Sequence, residues 1–167
     1  MLVIGIDPGT ICCGYGIIET GRGRSDYIHV TSGDIKLKPK AALQNRLKAV
    51  YDSLKSTITE YQPDQLCLEK IFYHKSIRSS MTLGSVRGIV LLLAAEHDLP
   101  LFEYNPTELK MALTGYGRAE KRQVQDMVKR ILKLDNSPRS EDSTDALALC
   151  ICHINSSSIT SRISKSK

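Results

Sequence analysis

This 167-residue chain has no stretch approaching the roughly 20 apolar residues that cross a bilayer. Its longest apolar run, Ile89 to Ala95, stops far short of that. The opening residues carry no basic n-region, and Asp7 interrupts the first apolar run, so no secretory signal is expected. Cysteine is sparse and odd in number: Cys12, Cys13, Cys67, Cys150 and Cys152, with no CxxC pair. That pattern argues against a disulfide framework or a zinc site, and for reduced packing residues in a cytoplasmic protein. Phenylalanine occurs only twice, which makes Phe72, beside Tyr73 in an expected loop, notable: taken by itself it reads as a satellite core residue, and beside a metal site it is a candidate for stacking on a base.

What is present is ordinary globular composition, 41% hydrophobic and 25% charged, enough for one domain with its own core. The net charge of +5 is concentrated. Residues 1–109 balance at 12 basic and 12 acidic, whereas residues 110–139 hold 8 basic against 3 acidic. A local excess of this kind suits a polyanion, since each neutralised phosphate releases counterions.

The patterning orders the elements as three strands (2–7, 13–19, 27–36), a helix (41–60), a strand (65–69), a helix (77–97), a strand (101–104), then helices from 106, over 120–133 and over 142–154. Gly21 to Arg24 reads as a hairpin loop. Helical crossovers make the later strands parallel to the first, so the expected fold is α/β, a five-stranded mixed sheet flanked by helices. The expected domain covers residues 1–155. The Ser- and Lys-rich stretch 156–167 reads as a flexible polar C-terminal tail.

Four carboxylates stand out in that frame. Asp7 and Glu69 close strands whose carboxyl ends are where open α/β sheets bind ligands. Asp142 and Asp145, at i and i+3 in the last helix, are expected to share a face, with Glu141 directed elsewhere. Singly, each has a plain explanation: a turn aspartate, a strand-end charge, acids at a helix N-terminus. Converging, they would repel one another unless hard cations neutralised them, and Mg²⁺ or Mn²⁺ bound in pairs by such acids cleaves phosphodiesters.

Five blocks in order resemble the RuvC family of Holliday-junction resolvases: Ile4-Gly5-Ile6-Asp7-Pro8-Gly9, Leu68-Glu69-Lys70-Ile71-Phe72, Leu83-Gly84-Ser85-Val86-Arg87-Gly88, Gly117-Arg118-Ala119-Glu120-Lys121 and Asp142-Ser143-Thr144-Asp145-Ala146. The resemblance spans about residues 2–153. It implies a ribonuclease H-like fold and a homodimer that makes paired nicks in a four-way DNA junction, leaving 5′-phosphate and 3′-hydroxyl ends. It further implies that Asp7, Glu69, Asp142 and Asp145 bind two Mg²⁺ per active site, with Mn²⁺ able to substitute, and that Lys121 assists catalysis. Phe72, Tyr73, Lys75, Lys110, Arg118 and Lys121 are the expected DNA contacts, and a branch-migration helicase complex is an expected partner. Two departures fall in the region expected to face DNA: Ser76 replaces the usual asparagine, and Ser85-Val86 replaces Gln-Ala.

Three rivals remain. A ribonuclease H-like nuclease acting on RNA precursors shares Ile-Asp-Pro-Gly but not Phe72 or the late acid pair. An actin-like ATPase needs two lobes where this length supplies one. A non-catalytic junction binder would lose affinity by turning carboxylates toward DNA.

Overall fold

The structure, a computed structural model, describes residues 1–21, 26–70, 77–134 and 140–165, with Arg78 and residues 158–165 described by backbone alone. Strands β1 (Leu2–Asp7), β2 (Cys12–Thr20), β3 (Tyr27–Lys36), β4 (Gln65–Glu69) and β5 (Leu101–Tyr104) form one sheet in the order β3-β2-β1-β4-β5. β1, β2 and β3 are antiparallel neighbours, while β4 runs parallel to β1 and β5 parallel to β4. The helices are α1 (Leu43–Tyr61), α2 (Ile77–Glu96), α3 (Pro106–Thr114), α4 (Lys121–Ile131) and α5 (Glu141–Lys165). The mixed ribonuclease H-like sheet expected from the sequence is the one observed. The tip of the β2–β3 hairpin lies outside the described residues, and Gly21 N–H donates to the Asp26 carbonyl at its base (2.7 Å).

Side-chain alternation divides the core in two. Ile4, Ile6, Leu66 and Leu68 point to the face covered by α1 and α2, whereas Val3 and Cys67 point to the face covered by α3, α4 and α5. On that second face Gly5, Gly14 and Gly16 form a seam. A Cβ on Gly5 would stand 2.1 Å from the Ala146 carbonyl oxygen, and one on Gly14 would stand 2.1 Å from that of Asp142. Their bareness lets the α5 backbone lie directly on β1 and β2. A buried polar chain fastens α5 further along: the Tyr104 hydroxyl donates to His153 Nδ1 (2.7 Å), and His153 Nε2–H donates to Gln65 Oε1 (2.6 Å).

Two elements differ from expectation. The last helix does not end near residue 154 but continues to Lys165. No glycine or proline follows Pro138, and the serines bond back to the helix they occupy, Ser156 Oγ–H to the Cys152 carbonyl (2.9 Å) and Ser157 Oγ–H to that of Ile154 (3.0 Å). In α2, Ser79–Glu96 is by length and composition apolar enough to cross a membrane. Here Val86, Val90, Leu93 and Ala94 are buried in the core, while Ile77 (70%), Met81 (70%) and Leu92 (49%) stay exposed. With Gly84 and Gly88, whose Cβ positions meet nothing within 4 Å among the described residues, they make an apolar stripe at helical spacing that no described residue covers.

Candidate active site

Strand period and register bring Asp7 and Glu69 together. Both share the side-chain parity of Val3 and Cys67, so both face α5, and each lies one step beyond the last parallel pair, Ile6 with Leu68. The start of α5 is set by Ser140, whose Oγ accepts from Ser143 N–H (3.1 Å) and whose carbonyl accepts from Thr144 N–H (3.2 Å). Glu141, Asp142 and Asp145 therefore occupy the first turns, resting on Gly14 beside Asp7. α4 begins at Lys121 because Glu120 N–H donates to Gln123 Oε1 (2.9 Å). A lysine at a helix N-terminus opposes the macrodipole, so its placement there calls for neighbouring anions.

Those anions are present. Asp7, Glu69 and Asp145 line a cleft of about 360 Å³ together with Lys110 and Lys121, between apolar walls that include Leu109, Val124 and Leu149. Lys121 Nζ lies 2.9 Å from Asp145 Oδ2 and 3.1 Å from Glu141 Oε2. Burial pushes the Asp7 carboxyl up to about 8, helped by repulsion from Glu69, Asp145 and Asp142 and opposed by Lys121. Burial also raises Glu69, with repulsion from Asp145 adding to it. Asp145 is raised by burial against the pull of its Lys121 partner. Burial alone would lower Lys121, but its bonds to Asp145 and Glu141 outweigh that and leave it raised. A cation in the cleft would relieve this mutual repulsion.

The expected residues do not all meet at one point. Asp142 stands on the other side of Gly14, where it joins Cys12 and Asp34. These three place their ligand atoms within 4.8 Å of one another, the only such trio among the described residues. Asp142 still adds to the repulsion on Asp7. Glu141, expected to point elsewhere, instead shares Lys121 with Asp145, since i and i+4 also fall on one helix face. Lys110 reaches the cleft from α3, whereas Arg118 is exposed in the α3–α4 turn and does not line it. Phe72, Tyr73, Lys75 and Ser76 lie outside the described residues. Val86 is buried in the core, and Ser85 Oγ–H bonds back to the Met81 carbonyl (3.0 Å), so Val86 faces the protein interior rather than a ligand. Cys12 and Asp34 carried no signal in the sequence, because their meeting depends on the β2–β3 register.

The donor set suits a hard divalent ion. The cleft offers carboxylate oxygens from three elements, and burial and mutual repulsion resist their ionisation until a cation arrives. The ammonium of Lys121 already sits against one of them as a positive charge. Asp7, Glu69, Asp145 and, across Gly14, Asp142 could hold such ions.

The family model described as "Crossover junction endodeoxyribonuclease RuvC" matches residues 3–153. A crossover junction endodeoxyribonuclease RuvC of Desulforamulus reducens is 44% identical over 153 residues, covering 92% of this chain and 93% of that protein. One from Pseudothermotoga lettingae is 40% identical over 164 residues, covering 98% and 100%. Among solved structures, T. thermophilus RuvC in complex with a Holliday junction substrate superposes with a TM-score of 0.90 at 28% identity, covering 96% of each chain.

Proposed function

The chain belongs to the RuvC family of crossover junction endodeoxyribonucleases, and on that premise we propose that it resolves four-way DNA junctions by hydrolysing a phosphodiester in each of two opposed strands. The observation that carries this reading is the convergence of Asp7, Glu69 and Asp145 on one cleft flanked by Lys110 and Lys121. An RNA-processing rival gains nothing from these comparisons, since the relatives above are named for junction cleavage.

Asp7, Glu69, Asp142 and Asp145 would hold two Mg²⁺, with Mn²⁺ able to replace them, and such ions would supply activated water and neutralise charge on the departing 3′-oxygen. The chain's own groups do the rest. The apolar walls exclude bulk water and strengthen each charge in the cleft. Lys121, already beside Asp145, is placed to turn its ammonium toward the scissile phosphate, and Lys110 binds the adjoining backbone. Lys121→Ala is expected to slow nicking by about 10²-fold or more while altering junction affinity little. A single-turnover rate close to wild type would remove Lys121 from the reaction.

Two equivalent strands call for two equivalent sites, which a two-fold homodimer provides. The uncovered stripe of Ile77, Met81, Gly84, Gly88 and Leu92 supports α2 as the dimer contact. Leu92→Glu is expected to sediment as a monomer and to lose paired nicking, whereas an unchanged dimer would place the interface elsewhere. A branch-migration helicase is the partner that would deliver junctions to this cytoplasmic dimer. The deciding experiment is Mg²⁺-dependent cutting of a synthetic four-way junction beside linear duplex and RNA hairpin controls. Cutting confined to the junction, leaving 5′-phosphate and 3′-hydroxyl ends, is the expected result; preference for the hairpin would favour the RNA reading.

A further inference from the structure

Beside the acid cleft lies a set of donors of different chemistry. Cys12 opens β2, Asp34 lies on β3 and Asp142 sits in the first turn of α5, and one ligand atom from each falls within 4.8 Å of the others. The register explains the meeting. Gly14 pairs with Asp34, and Cys12, two residues before Gly14, points to the same face of the sheet, where α5 begins. Gly14 also separates this group from Asp7, its partner on β1. The Ser140 hydroxyl donates a hydrogen bond to Asp34. All three ligating residues are partly exposed, so ions can reach them from solvent. Among the described residues, neither Asp34 nor Asp142 forms a salt bridge with a basic side chain, although the two carboxylates share one small space.

One sulfur and two oxygens from three elements of the fold match the needs of a thiophilic divalent ion better than those of Mg²⁺, which prefers an all-oxygen octahedral shell. We infer that Cys12, Asp34 and Asp142 form a second cation site, taking Zn²⁺ or an ion of similar softness, whose occupation fixes Asp142 on its own side of Gly14, keeps it from turning toward the Mg²⁺ cleft, and slows nicking. Binding forms a metal–sulfur bond and releases the thiol proton to water; no electron transfer is involved. The inhibitory part rests on the nuclease reading given above, while the binding part stands without it.

Two measurements on the whole chain test the inference. Co²⁺, a coloured stand-in for Zn²⁺, is titrated in the presence of millimolar Mg²⁺. The expected result is a thiolate-to-cobalt charge-transfer band saturating at one ion per chain, absent in Cys12→Ser and requiring at least tenfold more Co²⁺ in Asp34→Asn. A missing band, or one that persists in Cys12→Ser, overturns the site. In the second arm, micromolar Zn²⁺ is added to Mg²⁺-supported junction cleavage. Inhibition of at least tenfold in the wild type and little in Cys12→Ser is expected; equal inhibition of both overturns the link to Asp142. Failure to cut junctions in Mg²⁺ alone would count against the nuclease reading, whereas the cobalt band decides the binding site by itself.

Discussion

Asp7→Asn is expected to abolish junction cleavage, by at least about 10²- to 10³-fold, and at the same time to make the metal-free protein more stable near pH 8. The second effect follows from the first residue's surroundings. Burial, then repulsion from Glu69, Asp145 and Asp142, raises the folded Asp7 carboxyl to about 8, against roughly 3.9 for an aspartate in the unfolded chain. Between those two values the folded state holds the proton more often than the unfolded state does. Metal-free stability therefore declines as pH climbs through that window, with Asp7 contributing nothing below its lower end. Asparagine removes the charge and keeps the shape, so the variant should gain on the order of 2–4 kcal/mol over wild type at the upper end and almost nothing near pH 4. Saturating Mg²⁺ reverses the order, because only the wild type keeps the full ligand set. Thermal melts in EDTA and in Mg²⁺ at several pH values check this directly. A wild-type protein that melts as high as Asp7→Asn in EDTA at pH 8 would show that Asp7 is not held against its own ionisation.

Gly14→Ala is the second substitution of large expected effect. Its new Cβ would lie 2.1 Å from the Asp142 carbonyl oxygen and 2.7 Å from Ser143 N, both backbone atoms at a helix start that cannot rotate aside. Relief requires the first turn of α5 to lift off β2. Overpacking of this kind costs about 1–3 kcal/mol, and more where backbone must move. The lifted turn carries Asp142 and Asp145, so nicking is expected to fall by about 10²-fold or more, since displacements near 1 Å already cost that much. Gly5→Ala meets the Ala146 carbonyl oxygen at 2.1 Å and Cys150 Sγ at 2.8 Å, farther along the same helix, and should damage stability with less specific loss of rate. Calorimetry with single-turnover cleavage separates the two. Wild-type behaviour of Gly14→Ala in both would mean that α5 does not need its close seat.

The sheet and half of the site are readable in the sequence. Strand alternation dictates which way Asp7 and Glu69 face, and the crossover rule puts both at the same sheet end, so their meeting is expected. The fate of the α5 acids is harder to read. Residues three apart differ by about 60° around a helix axis, enough for Asp145 to look into the cleft while Asp142 looks past Gly14 toward Cys12. Glu141 adjoins Asp142 in the chain and so points away from it, yet its i, i+4 relation to Asp145 brings both to Lys121. The meeting of Cys12 with Asp34 is hidden, because hairpin register is decided by pairing across a loop and not by either strand alone. The length of α5 is obscured for a simpler reason: a serine run reads as loop until its hydroxyls are seen bonding to their own helix.

Lys121 has one ammonium and two kinds of anion competing for it. While it leans on Asp145, it neutralises that carboxylate. On the junction-cleaving reading proposed above, a DNA phosphate entering beside it would offer a second partner, and an ammonium turned toward that phosphate would leave Asp145 freer to receive metal. Substrate and ion would then favour each other's arrival through one side chain, a reciprocity that thermodynamic linkage requires to act equally in both directions.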